Sequence, residues 1–407
     1  MSQLAVLGGV GIALFAIALI VSILLHEAGH FLFARTFGMK ATEFFFGFGP
    51  RLWSRFKDGT EYGFKAIPAG GYVKIVGMTP LEEVDPADEP RAFYRQPAMN
   101  RFLVLVAGSL THFMIATLLL LIVLMGVGVA VPKQTLTLDN VVPCVPKDNQ
   151  SACTKNAAQK SPAAKAGLQP GDKITKFSGQ RVKSWNELTS KLEKSGGQKV
   201  HLTVRRGDQT KQVTLTPARV RDVQSGKQIG YLGVQSKTRV DHYETWDPLT
   251  AYGKVSDIYM RQVSLIFQAL GGLPAAIPQL FSPDRGSTKG GQVGSVVGAA
   301  RMAGSLFGSE KPFRAKASYF LQMVQSVNLF IGIFNMLPLL PMDGGHVAVL
   351  GWERLRAWFA RKRGRPDPGP VDMAKLLPAT TLVFVLLVGL GLLLITADLV
   401  NPLASPF

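Results

Sequence analysis

Hydrophobic and polar positions divide this chain into long apolar blocks and stretches of shorter period. Leu4–Leu25 contains no Asp, Glu, Lys or Arg, and Phe102–Val131 and Leu376–Ile395 are equally free of them. A fourth block, Tyr319–Met342, is apolar but broken by Asn328, Asn335, Pro338 and Pro341. About 20 apolar residues in a helix cross the hydrocarbon of a bilayer, so the pattern predicts about four transmembrane helices. The first block is not read as a cleaved signal peptide. It lacks a basic start and a small-x-small site before the histidines, and its apolar core is too long.

Leu136–Gln235 has a different texture. "SPAAKAGLQPGDKITKFSGQRVKSWNELTSKL" predicts a short helix, a turn at Gln169-Pro170-Gly171-Asp172, a strand, a tight turn at Ser178-Gly179, and a helix from Ser184. Glu187, three residues past Ser184, completes a capping box. "KVHLTVRRGDQTKQVTLTPA" alternates on both sides of Arg206-Gly207-Asp208 and predicts a β-hairpin. "GYLGV" predicts one further strand. In "WDPLTAYGKVSDIYMRQVSLIFQAL" apolar residues recur at helical spacing between Lys254, Asp257 and Arg261. That predicts an amphipathic interfacial helix. The chain thus divides into 1–131, a module at 136–235, a segment at 236–318, and 319–407.

Composition supports a membrane protein with soluble parts. Of 407 residues 47% are hydrophobic and 18% charged, against about 25% charged in soluble domains. The net charge of +18 is read as the basic cytoplasmic loops of a membrane protein and not as a nucleic-acid partner, because no nucleic-acid module is present. It does predict sidedness. Only "MSQ" precedes the first block, whereas Arg35, Lys40, Arg51, Arg55 and Lys57 follow it, and "RLRAWFARKRGR" follows the fourth. By the positive-inside rule those loops are cytoplasmic, and the N-terminus, the block from Pro132 to Tyr319 and the C-terminus face outward. The two cysteines, Cys144 and Cys153, fall in the outward block. They are either a disulfide or two free thiols, and the oxidising location favours the bridge.

"HEAGH" holds the candidate chemistry. Residues four apart share a helix face, so His26 and His30 can present two imidazoles to one Zn²⁺, with Glu27 beside them as general base. Such a site needs a third protein ligand. His201 and His242 lie in the outward block and His112 inside the second apolar block. Asp343, in "NMLPLLPMDGGH", is the best candidate, because intramembrane acids are functional by default and irregular backbone at membrane depth lines polar cavities.

Two resemblances follow from these motifs. "SPAAKAGLQPGDKI" resembles the signature of bacterial PDZ domains in their permuted order. This implies a peptide groove beside Gly230, Tyr231 and Leu232, or a domain that only blocks access. H-E-x-x-H in the first helix, this module between the second and third, and N-x-x-P-x-x-x-x-D-G together resemble the site-two proteases, and the likeness covers essentially the whole chain. It implies a polytopic α-helical membrane protein of about four transmembrane helices, with membrane-associated β-hairpins and one extracytoplasmic PDZ-like α+β domain. It implies an intramembrane zinc metalloprotease of the bacterial plasma membrane, with its active site towards the cytoplasm. The substrates would be single-span membrane proteins such as anti-sigma factors, already trimmed on the outside.

Carried over, His26, His30 and Asp343 match the zinc ligands and Glu27 the catalytic base. Asn335 and Pro338 match the substrate-contacting motif positions. "EFFFGFGPRLWSRFKDGTEYGFKAIPAGGYVKI", with Gly70 and Gly71, resembles the hairpins that pair with an unwound substrate; otherwise it only packs beneath the helices. "KGGQVGSVVGAARMAG" has Gly291-Gln292 where relatives commonly read Gly-Pro. His112 stands where the second helix often carries Asn, and is a helix-packing contact, a substitute polar contact or a transient metal neighbour. Two rival classes remain: a membrane-anchored protease acting on soluble proteins, which would carry H-E-x-x-H in a soluble domain, and a PDZ scaffold or transporter. Transporters tend to show repeated halves, and this chain has none.

Overall fold

A computed structural model describes residues 3–78, 83–146, 148, 159–222, 225–282, 285 and 293–403. Helix α1 (Gln3–Thr36) runs unbroken through the polar cluster. The chain then folds back through β1 (Ala41–Lys57) and β2 (Thr60–Ile75). Asp58 and Gly59, both at positive φ, make the turn between them. Residues 41–46 pair with 71–75 on one side and with 61–64 on the other, while 51–57 pair with 60–65. Two strands thus make four segments. Gly47 allows the bend: its φ is +90°, and a Cβ there would stand 2.8 Å from the Lys65 carbonyl oxygen. The segment 71–75 forms the outer edge of this sheet. Helix α2 (Ala98–Ile122) continues through a π-helical turn to Val127.

The module follows as β3 (Val129–Val141), α3 (Pro162–Lys165), β4 (Lys173–Phe177), β5 (Gln180–Arg181), α4 (Trp185–Glu193), β6 (Val200–Arg206), β7 (Gln209–Leu215), β8 (Ala218–Arg221), β9 (Gln228–Tyr231) and β10 (Val234–Glu244). One sheet has the order β10-β3-β4-β6-β7, and β8 pairs with β9. Its core gathers Leu138, Ile174, Leu188, Leu202, Val204 and Leu232. Ser184 caps α4 by accepting the Glu187 amide, and Glu187 accepts the Lys183 amide in return. "GYLGV" is two strands, not one. Gly233 breaks it at φ +85°, where a Cβ would crowd Ser161. Cys144 is disulfide-bonded; Cys153 lies outside the described residues.

Asp172, 1% exposed, accepts two hydrogen bonds from Arg206, at 2.7 and 2.8 Å, and one from the Gln169 amide. The Arg206 guanidinium holds its carboxyl below the usual carboxylate range. A folded-state pKa below the unfolded value of about 3.9 means that the pair stabilises the module above that pH. The contribution is lost as pH falls through the lower folded value. Arg206→Ala is expected to destabilise the module at pH 7 and to cost less at an acid pH where Asp172 is protonated. Hydrogen exchange over β4 and β6 at both pH values checks this.

After the module come α5 (Pro248–Ala276), α6 (Val296–Gly308), α7 (Phe313–Asn335), α8 (Asp343–Lys362) and α9 (Leu377–Val400). The helix expected at the interface forms as α5, and it packs inward. Tyr259 meets Thr117 of α2 at 2.9 Å, and Gln262 and Gln325 of α7 exchange amide hydrogen bonds at 3.0 and 3.1 Å. Gly291 and Gln292 lie outside the described residues.

Among the described residues four helices are long and apolar enough to cross a membrane: Ala5–Thr36, Ala98–Val127, Phe313–Asn335 and Met373–Val400. Ile17, Leu118 and Leu386 on them are more than half exposed, a surface suited to lipid rather than water. The fourth apolar block stops being helical at Asn335, seven residues before its predicted end at Met342. The chain then turns through Pro338 and Pro341 and starts α8 at Asp343.

Candidate metal centre and active site

Three elements build the cluster. Helix α1 presents His26 and His30, one turn apart and both buried. Asp343 arrives from the first turn of α8, where the helix dipole favours a carboxylate. The turn that delivers it depends on Gly344 and Gly345. A Cβ on Gly344 would overlap the Met336 and Leu337 carbonyls, and one on Gly345 would stand 2.6 Å from Leu339 C and Leu340 N. At the start of α2, Arg101 reaches Glu353 at 3.3 Å and ties the two helices together.

The ligand atoms converge. His26 Nε2 and His30 Nε2 are 3.2 Å apart, and Asp343 Oδ2 lies 3.5 and 3.4 Å from them. Bonds of about 2.0–2.1 Å at tetrahedral angles separate ligand atoms by about 3.3 Å. Asp343 Oδ2 is buried with no hydrogen-bond partner, as a carboxylate oxygen reserved for a cation would be. Among the described residues this is the one His/Cys/Asp/Glu cluster with metal-binding spacing. His30 Nδ1 donates to the Val104 carbonyl at 2.7 Å when Nε2 faces the cluster, the outer support expected of a metal-binding histidine.

Glu27 points past the histidines to the edge segment of the hairpin sheet. A Cβ on Gly71 would stand 3.0 Å from Glu27 Cγ, so glycine there brings strand and carboxylate together. Gly70, at φ +140°, bends the strand just before. Asn335 is the last residue of α7, and Pro338 is exposed in the turn that follows. A cavity of about 1050 Å³ lies between the start of α2 and α8, lined in part by Leu105, His346, Val349 and Glu353 and by none of His26, Glu27, His30, Asn335 or Asp343.

The expected groove residues of the module lie elsewhere, and His112 lies beside His26. Gly230 packs against the C-terminal end of α4, where a Cβ would overlap the Leu192 carbonyl. Tyr231 is half-buried, and Leu232 belongs to the module core. His112 is buried and bonds to Asn328 of α7 at 2.9 Å.

Sequence reading missed Gly108. A Cβ on it would overlap His30 Nε2 and stand 2.5 Å from His26 Cε1. Its signal was the run of small residues in "AGSLTH", one turn before a buried histidine.

The fold and the cluster together define an intramembrane zinc metallopeptidase. Residues 14–366 match the model of Peptidase family M50, and the chain belongs to that family. It is 36% identical over 405 residues to "Zinc metalloprotease Rip1" of Mycobacterium tuberculosis, covering 97% of this chain and 98% of the relative. The protein of the same name from Mycolicibacterium smegmatis is 34% identical over 411 residues, with the same coverage. A PDZ domain of an SdrC-like protein from Listeria monocytogenes is 23% identical over 25% of this chain and 92% of its own, with a TM-score of 0.16.

Proposed function

We propose that His26, His30 and Asp343 hold one Zn²⁺ and that Glu27 is the general base for peptide hydrolysis within the membrane. The observation that carries this is the 3.2–3.5 Å triangle of ligand atoms. Bound Zn²⁺ supplies a Lewis acid for the scissile carbonyl and lowers the pKa of water. Glu27 takes the proton of the attacking water on its carboxylate and returns it to the departing amide nitrogen. The Asn335 amide donates to the substrate backbone or to the developing oxyanion.

A transmembrane substrate must be extended before cleavage, because its helical amides are hydrogen-bonded and shielded. The strand segment around Gly71 offers a partner to an extended substrate, and Gly71 leaves the substrate backbone room beside Glu27. The substrates are single-span membrane proteins such as anti-sigma factors, and the basic loops put the active site on the cytoplasmic side of a bacterial plasma membrane. The test is metal analysis. Wild-type protein should hold about one zinc per chain, and His26→Ala and Asp343→Ala should hold almost none. Full occupancy in either variant overturns the ligand set.

On this topology the 136–235 module is a PDZ-like domain outside the membrane, opposite the active site. It does not position the scissile bond; it excludes substrates whose outer domains have not been trimmed. Residues 129–133 of β3 pair with 239–244 of β10 and hold the module's two ends together, so a short linker can replace it. Deleting 136–235 should permit cleavage of untrimmed substrate. If deletion only abolishes cleavage of trimmed substrate, the module recruits a peptide tail instead.

A further inference from the structure

The two histidines on α1 are supported unequally. His30 has the Val104 carbonyl behind it. His26 offers Nε2 to the cluster, but its Nδ1 is buried with no hydrogen-bond partner. Its one backbone neighbour of suitable chemistry is the Gly108 carbonyl. A metal-binding imidazole without such a bond can turn about its Cβ–Cγ axis, and a metal site tolerates displacements of only about 0.2 Å. A packed neighbour can fix the ring more firmly.

The neighbour in place is His112. Its ring centroid is 4.9 Å from that of His26, with the planes tilted by 38°. His112 is 1% exposed and cannot turn freely itself. Its Nδ1 is 2.9 Å from Asn328 Oδ1, and Asn328 Nδ2 donates to the Val324 carbonyl at 2.9 Å. With the amide nitrogen committed, Oδ1 accepts and His112 Nδ1 is the donor, so the ring has one orientation and one tautomer. Helix α7 comes close enough for this because residue 332 is glycine, where a Cβ would stand 3.2 Å from His112 Cβ.

We propose that His112 is a positioning residue for the metal ligand His26, and that Asn328 sets it from α7. The inference rests on the metal reading above. It gives α7 a second role besides carrying Asn335: through Asn328 and His112 it sets one ligand of the ion.

The test compares full-length wild type, His112→Leu, Asn328→Leu and the double variant. Leucine keeps the bulk of each side chain inside the membrane. Zinc affinity is read by chelator competition, and ligand geometry by the visible bands of the Co²⁺-substituted protein. Each single change should weaken zinc about 10–100-fold, the usual cost of losing outer support, and should shift the Co²⁺ bands. The double variant should lose no more than the worse single, because both act through one bond. Cooperative unfolding of all four proteins separates this from loss of fold. Wild-type affinity and unshifted bands in folded single variants overturn the proposal, as do additive losses. Failure of the metal reading shows separately, as a wild type that binds no zinc.

Discussion

Glu27→Gln is expected to bind zinc and substrate as the wild type does and to cleave about 10²–10⁴ times more slowly. The substitution keeps the side chain's length and its place beside Gly71, and removes only the ability to take a proton. The proposed ligand atoms belong to His26, His30 and Asp343, so the metal content should not change. The measurement is cleavage of a transmembrane peptide in detergent by zinc-matched samples of the two proteins. Near-normal turnover would remove Glu27 from the mechanism.

Gly108→Ala is expected to empty the metal site. The new Cβ would overlap His30 Nε2 and press on His26 Cε1, so both imidazoles must leave the positions that make the triangle. The two helices are already in close contact here. A Cβ on Gly29 of α1 would stand 2.6 Å from Thr111 Oγ1 and 2.8 Å from the Ala107 carbonyl, which shows how closely α1 and α2 pack. Alanine favours a helix over glycine by about 1 kcal/mol, so weakening of α2 would not explain the loss. Zinc affinity should fall by more than the 10–100-fold typical of outer-support changes. Full zinc occupancy in Gly108→Ala would show that the histidines approach α2 less closely than this packing implies.

Much of this was legible because membranes impose simple rules. Apolar blocks marked the four long helices, and an i, i+4 histidine pair followed by Phe31, Leu32 and Phe33 marked α1 as continuing past its polar cluster. Asp343 was legible as the third ligand candidate because an acid at the end of an apolar block is costly unless a cation or a polar cavity compensates its charge. What stayed hidden depends on close approach between distant segments. Gly108 matters only because α1 lies against it, and Asn328 only because α7 brings it to His112. The break in "GYLGV" was hidden because Gly233 looks like any strand glycine until Ser161 is placed beside it.

The metal triangle joins two helices that are far apart along the chain. His26 and His30 stand near the start, and Asp343 begins a helix that follows the module and α7. An ion held as proposed would act as a reversible crosslink between α1 and α8. At a free concentration 100 times its dissociation constant it would add about 2.7 kcal/mol to the closed arrangement. Chelation, on this view, would do more than stop chemistry: it would leave α8 held to α2 by Arg101 and Glu353 but no longer fastened to α1.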